Sequence, residues 1–498
     1  MTDVLTDSAR AAEPEPESGH GLVRRLRAGL GRHRLFAVVV VLAVAVRVLA
    51  LLGQRPGEMY WYDSYEYLRF ALEPHPARNL HPGGYGFFLW LLKPFHSIPL
   101  IIVLQHLMGL AVGVLGYAVL RRRGLPAWGA SLAMIAPLFD VELLHLEHAV
   151  LSDTPFLLLV TGAVIVLLWS PEITWRAATG AALLLALAAL FRTIALPLLV
   201  LVLAWMAVRR VAWRSLVVAA LVAAVPIVSY ATWYHSEYGR FKLAGGDGAS
   251  LWARTRTFVD CDKVKPPPAE ARLCPDGVKT DAASEYYWVG EINRPPGRNA
   301  NEDLARSFAI RTIMAQPLDY LWAVTVDVSR TFAYPAVAHP KRLPPVFYFT
   351  TGTVPLSDEP GARDTALAYD PGVTEGTRSV EPYAGWLAAY KVHIPGPALL
   401  IVLLLGAWGV VSRRGGSRRT RRTVLLPWGV AVSLLVAPVA VLGFDHRYAM
   451  PALPLACLAA ALTFARHPKA AVEEPAPDKP ADKPAPDHPA PERDAEPA

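Results

Sequence analysis

Apolar residues in this chain come in long blocks of about 17 to 22, close to the roughly 20 residues a helix needs to cross the hydrocarbon core of a bilayer. Leu35–Gly53 and Pro99–Leu120 are two such blocks. A strand of an outer-membrane barrel would instead alternate polarity over about ten residues. The charged fraction is 18%, below the roughly 25% of a soluble domain. Together these features exclude a soluble enzyme, a disordered chain and a collagen-like fibre. The expected class is an all-α polytopic membrane protein.

The formal net charge is +7, which in another context would suggest nucleic acid. Here the cations cluster between apolar blocks, at Arg24–Arg34, Arg121–Arg123, Arg209–Arg214 and Arg413–Arg422. Clusters of this kind flank the cytoplasmic ends of spans and face anionic headgroups, so membrane lipids are the expected partner and nucleic acid is not. Residues 1–34 then form a cytoplasmic basic segment, with Leu35–Gly53 retained as the first span because it is too long for a signal-peptide core.

Alternating outward from that anchor gives an external loop over residues 54–98 and a return through Pro99–Leu120. Pro126–Ser170 and Arg176–Val208 each have basic flanks, so each reads as a hairpin with its turn outside. The first turn would carry Asp140, Glu142, His145, Glu147, His148 and Asp153, and the second Arg192. Trp213–Trp233 closes the helical block 35–233. Residues 234–393 are polar and domain-sized, an external insertion of α/β or irregular structure. Pro395–Ser412, Val424–Leu442 and Tyr448–Ala465 complete the second block, 394–465. About ten spans result at roughly 20 residues each, with both termini inside a plasma membrane, bacterial by expectation. The tail 466–498 repeats Pro, Ala, Asp, Lys and Glu and has too little to bury to be ordered.

Chemistry is expected where acids meet aromatics. The loop after the first span reads MYWYDSYEYLRF and places Asp63 and Glu66 among Tyr60, Trp61, Tyr62, Tyr65 and Tyr67, followed by HPGGYG with His81. Aromatics at a span end are ordinary interfacial anchors, but acids within them suit sugar stacking and proton abstraction from a hydroxyl. Arginine suits a departing phosphate because its planar fork matches the phosphate oxygens. Arg192 and Arg447 are placed at the outer level, and Lys391, His393 and His446 are further cations there. The bland alternative for span-end cations is snorkelling to the headgroups.

The aromatic–Asp–acidic loop, the His-Pro segment, LEHAVLSDTPFLLL and FDHRYAMPALPL together resemble the GT-C class of membrane glycosyltransferases. Within it, the protein O-mannosyltransferases and bacterial aminoarabinose transferases are the most similar groups. The resemblance covers most of residues 35–465, while the external insertion is not part of that pattern. It implies inverting transfer of a sugar, mannose or a pentose, from a polyprenyl-phosphate donor at the external face, without a nucleotide. The acceptor would be a glycan, a lipid or a protein. Asp63 would be the general base and Asp153 a second acid that orients the acceptor or supports a cation or water. Tyr62, Tyr65, Glu66, His81 and Glu147 would contact sugar or acceptor. Arg192, Arg447, His446 and Lys391 would hold the donor phosphate.

Other ligands are less constrained. Some relatives use a divalent ion, and His75, His81, His145, His148 and His446 are all placed outside. None of their spacings matches the paired ligands of a structural zinc site, so no cofactor is assigned, although a divalent metal ion stays open. Cys261 and Cys274 lie in the external stretch, where an oxidising compartment would allow a disulfide; two free thiols are the alternative. Gly245, Gly246 and Gly248 do not form a phosphate-binding fingerprint. Two other function classes remain. A secondary transporter would put ionisable groups near mid-membrane, and a non-catalytic envelope scaffold would not need Asp63, Asp153 and Arg447 to meet. The distances among those three residues discriminate.

Overall fold

The computed structural model describes residues 19–465 apart from 77–79, 276, 278–279, 294–296 and 413–417, and leaves undescribed the side chains of 19–32, 289, 291 and 418–420. The acidic N-terminal stretch, the expected disordered tail and part of the last arginine cluster lie outside the described residues.

The chain is overwhelmingly helical. Helix α1 (Gly19–Gly53) kinks at His33 and runs through the first apolar block. Next come α2 (Trp61–Leu72), α3 (Gly84–Leu92), α4 (Ile98–Arg122), α5 (Ala127–Phe139), α6 (Val141–His148), α7 (Asp153–Leu168), α8 (Trp175–Phe191), α9 (Ala195–Val208) and α10 (Trp213–Tyr238). The later apolar helices are Gly396–Val411, Arg418–Val441 and Ala452–Thr463. Large apolar side chains face outward along them, Val41 at 66%, Leu221 at 63% and Val225 at 64% exposure. Water would penalise a continuous apolar surface of this kind, whereas lipid does not.

Among the described residues, four helices are long and apolar enough to cross a bilayer, or five if the bent pair α5–α6 counts as one span. Helix length and apolarity alone thus account for four or five of the roughly ten expected spans. Apolar helices also occupy the other expected segments, and α7, α8, α9, Gly396–Val411 and Ala452–Thr463 are shorter, at 16, 17, 14, 16 and 12 residues. The α5–α6 segment is also no simple hairpin turn. The helices meet at 53°, because Asp140 Oδ1 accepts the amides of Glu142 and Leu143 and starts a new helix.

Helix α6 therefore carries Glu147 into the protein instead of leaving it at an outer mouth. Arg47, on α1, holds it with two parallel bonds, Nε to Oε2 at 2.8 Å and Nη2 to Oε1 at 2.7 Å. Arg47 Nη1 donates to the carbonyls of Ala43 and Leu138. His106 on α4 faces Glu147 Oε2 at 2.9 Å and His148 at 3.1 Å. An ion pair inside an apolar bundle persists only when its polar atoms are met in this way. Gly109 on α4 makes room, since a Cβ there would stand 1.8 Å from Glu147 Oε1. On the other side of the bundle α8 buries Ala178, Ala181, Ala182, Ala186, Ala188 and Ala189; small side chains let helices approach closely in lipid.

The described residues of the insertion are helical and irregular apart from one two-residue strand. Its first part wraps Asp247–Arg256, Glu302–Ala315 and neighbouring turns around Trp252, Tyr287 and Phe308, and Cys261 and Cys274 are joined by a disulfide. Its second part crosses the loop that follows α1. There, two-residue strands β1 (Gln54–Arg55) and β2 (Arg378–Ser379) pair antiparallel. Thr377 Oγ1 donates to Gly57 O at 2.6 Å, and Gln54 Nε2 donates to Thr350 O at 2.9 Å.

Replacing Glu147 by Gln strands the Arg47 charge and should lower stability by about 3–5 kcal/mol, the usual cost of breaking a buried pair. The double replacement Arg47→Met/Glu147→Met should recover most of that loss. Thermal unfolding in detergent of wild type, Arg47→Met, Glu147→Met and the double variant measures it, and additive losses would contradict the pairing.

Candidate active site

Two helix starts and one helix end build the site. The chain is extended at Tyr60 and turns into α2 at Trp61. Tyr60 N donates to Ser64 Oγ, and the Ser64 hydroxyl donates to Val150 O, both at 2.8 Å. This ties the first turn of α2 to the residues just before α7. Asp63 and Asp153 therefore sit in the first turns of neighbouring helices, where the helix dipole favours a negative charge. Arg192 ends α8 in extended conformation. Arg447 sits on the short helix His446–Ala449, capped by Asp445, which accepts its amide at 2.9 Å.

Arg447 joins the two acids. Its Nη1 donates to Asp63 Oδ2 at 2.8 Å, and its Nε lies 3.9 Å from Asp153 Oδ1. Arg192 Nη1 bonds directly to that same Asp153 oxygen. Tyrosine faces back the cations: Arg447 lies 4.9 Å from the Tyr60 ring and 5.5 Å from Tyr448, and Arg192 lies 5.2 Å from Tyr448. His81 bridges Asp63 and Glu66, 3.6 Å from the former and 3.3 Å from the latter. Asp63 and Glu66 are three apart on α2, which puts both on one face.

Burial by itself would raise the Asp63 pKa, but His81, then Arg447, and more distantly Arg192 outweigh it and hold the carboxyl below its ordinary value of 3.8. Two buried polar atoms in the constellation lack a hydrogen bond, Asp153 Oδ2 and Arg447 Nε. Buried polar atoms are normally paired, so the site retains capacity for a polar ligand.

A cavity of about 250 Å³ opens beside these groups. Its polar end is formed by His81, Arg192, Ser250 and Tyr448. Phe156, Phe191, Ile194, Leu434, Val441 and Leu442 form an apolar wall, drawn from the membrane helices. Charged groups at one end and a greasy flank at the other suit an amphiphile with an anionic head.

The structure thus gathers Asp63, Asp153, Arg192, Arg447, Glu66 and His81. It places other expected residues elsewhere. Glu147 is sequestered by Arg47. Lys391 sits over the Tyr348 ring at 4.3 Å, His446 bonds to Val337 O at 2.9 Å, and Tyr62 packs edge-on to Trp288. Tyr65 is buried and accepts the Ser357 amide, so it anchors the insertion. The histidines considered for a metal are dispersed: His145 pairs with Glu58 at 2.8 Å, His148 reaches Gln54 O, and His75 contacts Glu73 O. Sequence reasoning missed Tyr448 and Ser250 as parts of the site and named Tyr60 only among the aromatics around Asp63. The signal for Tyr448 was present, since it follows Arg447 directly; Ser250 belongs to a helix of the insertion and carried none.

No known protein family matches the chain, and no curated protein matches it. Four solved structures do. The S. cerevisiae protein O-mannosyltransferase complex bound to its sugar donor is 15% identical and covers 47% of this chain, with a TM-score of 0.33. The oligosaccharyltransferase AglB from Archaeoglobus fulgidus, in complex with an inhibitory peptide and a dolichol-phosphate, is 12% identical over 86% of this chain at a TM-score of 0.41. ArnT from Cupriavidus metallidurans in the apo state is 16% identical over 86% at 0.34. The matches extend over 38% and 50% of the first two chains and 77% of the third. These are membrane glycosyltransferases of the class the sequence motifs resemble.

Because Asp63 is held below 3.8, it should stay ionised in the folded protein down to pH values where an ordinary aspartate is half protonated. Arg447→Gln removes one of the neighbouring charges and should raise its pKa. Infrared titration of the aspartate carboxyl band checks this. An Asp63 that protonates above about pH 5, past the ordinary aspartate range, would contradict the geometry.

Proposed function

We propose that the chain is an inverting, integral-membrane glycosyltransferase that takes a mannose or pentose unit from a polyprenyl-phosphate donor on the extracytoplasmic face. The observation that carries this reading is the Asp63–Arg447–Asp153–Arg192 constellation, joined through Arg192 and His81 to a cavity with a largely apolar lining. A transporter reading has less support, because the helix that carries Asp63 and the loop before it are tied to the insertion, through Tyr65 to Ser357 and Gly57 to Thr377.

In this reading the donor phosphate takes up the free capacity of Arg447 and Arg192, with the lipid chain along Phe156, Phe191 and Leu434. The acceptor hydroxyl lies against Asp63, with Glu66 and His81 beside it. Asp63 removes the hydroxyl proton as the acceptor oxygen bonds to the anomeric carbon. The bond from that carbon to the phosphate oxygen breaks on the opposite face, which inverts the centre. The electrons leave on polyprenyl phosphate, whose charge the guanidiniums stabilise; stabilising a departing oxyanion in a shielded site is often the largest catalytic contribution.

The apparent conflict is that a carboxylate with a depressed pKa is a weak base. Phosphate binding resolves it, since an anion on Arg447 offsets one of the charges that hold Asp63 down. The base would then strengthen only when donor is present, which restrains idle chemistry in its absence.

The test is turnover of labelled polyprenyl-phosphate sugars by purified protein. Wild type should consume a mannosyl or pentosyl donor, and Asp63→Asn should lose about 10²- to 10⁴-fold in rate, the usual worth of general-base help, at unchanged thermal stability. Near-normal turnover in Asp63→Asn would dismiss the base assignment, and no consumption of any lipid-linked sugar by wild type would dismiss the function.

A further inference from the structure

Away from the cavity, a second cluster of ionisable groups sits where α5 breaks into α6. Asp140, at the break, and Glu142, in the first turn of α6, are 1% and 3% exposed. His393 comes in from the end of the insertion, just before Gly396–Val411. One ligand atom from each lies within 4.8 Å of the others. We propose that Asp140, Glu142 and His393 form a binding site for a first-row divalent cation, of the zinc or manganese type.

The arrangement leaves a gap in the hydrogen bonding that a cation fits. Asp140 Oδ1 caps α6, and its Oδ2 accepts the Ile394 amide at 2.8 Å. Glu142 Oε1 accepts the Phe347 amide at 3.2 Å. The other Glu142 oxygen, Oε2, is buried without a hydrogen bond, and so is His393 Nδ1. That nitrogen is 3.1 Å from Asp140 Oδ2 and 3.9 Å from Glu142 Oε2, but neither contact is directed as a hydrogen bond.

Spacing agrees with this assignment. Ligand atoms about 2.0–2.2 Å from a tetrahedral ion stand roughly 3.3–3.6 Å from one another, and 3.1 and 3.9 Å bracket that range. Charge agrees as well. Each buried carboxylate costs several kcal/mol unless it is compensated, and one imidazole can offset only one of the two. Lys391 does not supply the difference, because its amine lies over the Tyr348 ring; His145, on α6, pairs with Glu58. One imidazole nitrogen with two carboxylate oxygens suits zinc or manganese better than calcium or magnesium, which prefer oxygen alone.

The site would act as a staple. Val141 N already donates to Val392 O at 2.8 Å, and Tyr390 OH bonds to Phe139 O. A cation would fix this junction between the insertion's end and α6. Helix α6 in turn holds Glu58, at the root of the loop that bears Asp63, through His145. The proposal does not depend on the glycosyltransferase reading.

The test uses tag-free, full-length protein in detergent, stripped with a chelator and dialysed against Zn²⁺ alone. Metal analysis should find one zinc per chain, and zinc-edge X-ray absorption should show an oxygen/nitrogen shell containing a single imidazole. Zinc affinity should fall more than about tenfold in Glu142→Gln and His393→Ala, since even partners outside the ligand shell cost 10- to 100-fold. Glu142→Gln keeps an oxygen for the Phe347 amide, which favours folding. Should that variant still fail to fold, the wild-type absorption spectrum decides alone. No stoichiometric zinc, more than one imidazole, or affinity unchanged in His393→Ala would overturn the site.

Discussion

The guanidinium of Arg447 connects parts of the chain that have little else in common. It reaches Asp63 across 384 residues of sequence and lies 3.9 Å from Asp153, so the loop after α1, the start of α7 and the short helix His446–Ala449 meet at one side chain. Two carboxylates this close would repel and take up protons if no cation stood between them. Arg447 contacts both, and Arg192 adds a second cation at Asp153. The unshared Asp153 oxygen and Arg447 nitrogen then leave the site open to a polar ligand.

A second ion pair sets the frame for the first. Arg47 and Glu147 draw α1, α4 and α6 together in the apolar interior, and the loop after α1 inherits its position from that junction. The insertion's second half holds the loop from above through β1–β2 and the Thr377 and Ser357 contacts. Asp63 is thus placed by a buried pair beneath it and a strap over it. Both are built from residues remote in sequence, and neither touches the cavity directly.

Much of the outline was legible in the chain, for identifiable reasons. Block length and flanking arginines located the apolar helices, because the hydrophobic requirement of lipid is coarse and local. They did not reveal how short several of those helices are, since helix ends depend on caps and prolines. Asp63, Asp153 and Arg447 were recognisable from short motifs. Glu147 was misplaced because a charged residue in a turn between apolar runs reads as solvated. Only the Asp140 cap, which turns α6 back inward, and Arg47, hidden within an apolar run, put it elsewhere. The Asp140–Glu142–His393 cluster was equally hidden, since Asp140 and Glu142 lie inside the helical block and His393 at the far end of the insertion.

The central claim is that the two arginines receive the phosphate of a lipid-linked donor and, in doing so, loosen the Arg447–Asp63 bond. A cryo-electron microscopy structure of the protein with polyprenyl phosphate tests it most directly. The account predicts phosphate density against Arg447 and Arg192, the lipid chain along Phe156 and Leu434, and an Asp63–Arg447 separation longer than the 2.8 Å seen here. Phosphate bound elsewhere on the protein, with the Asp63–Arg447 bond unchanged, would contradict it.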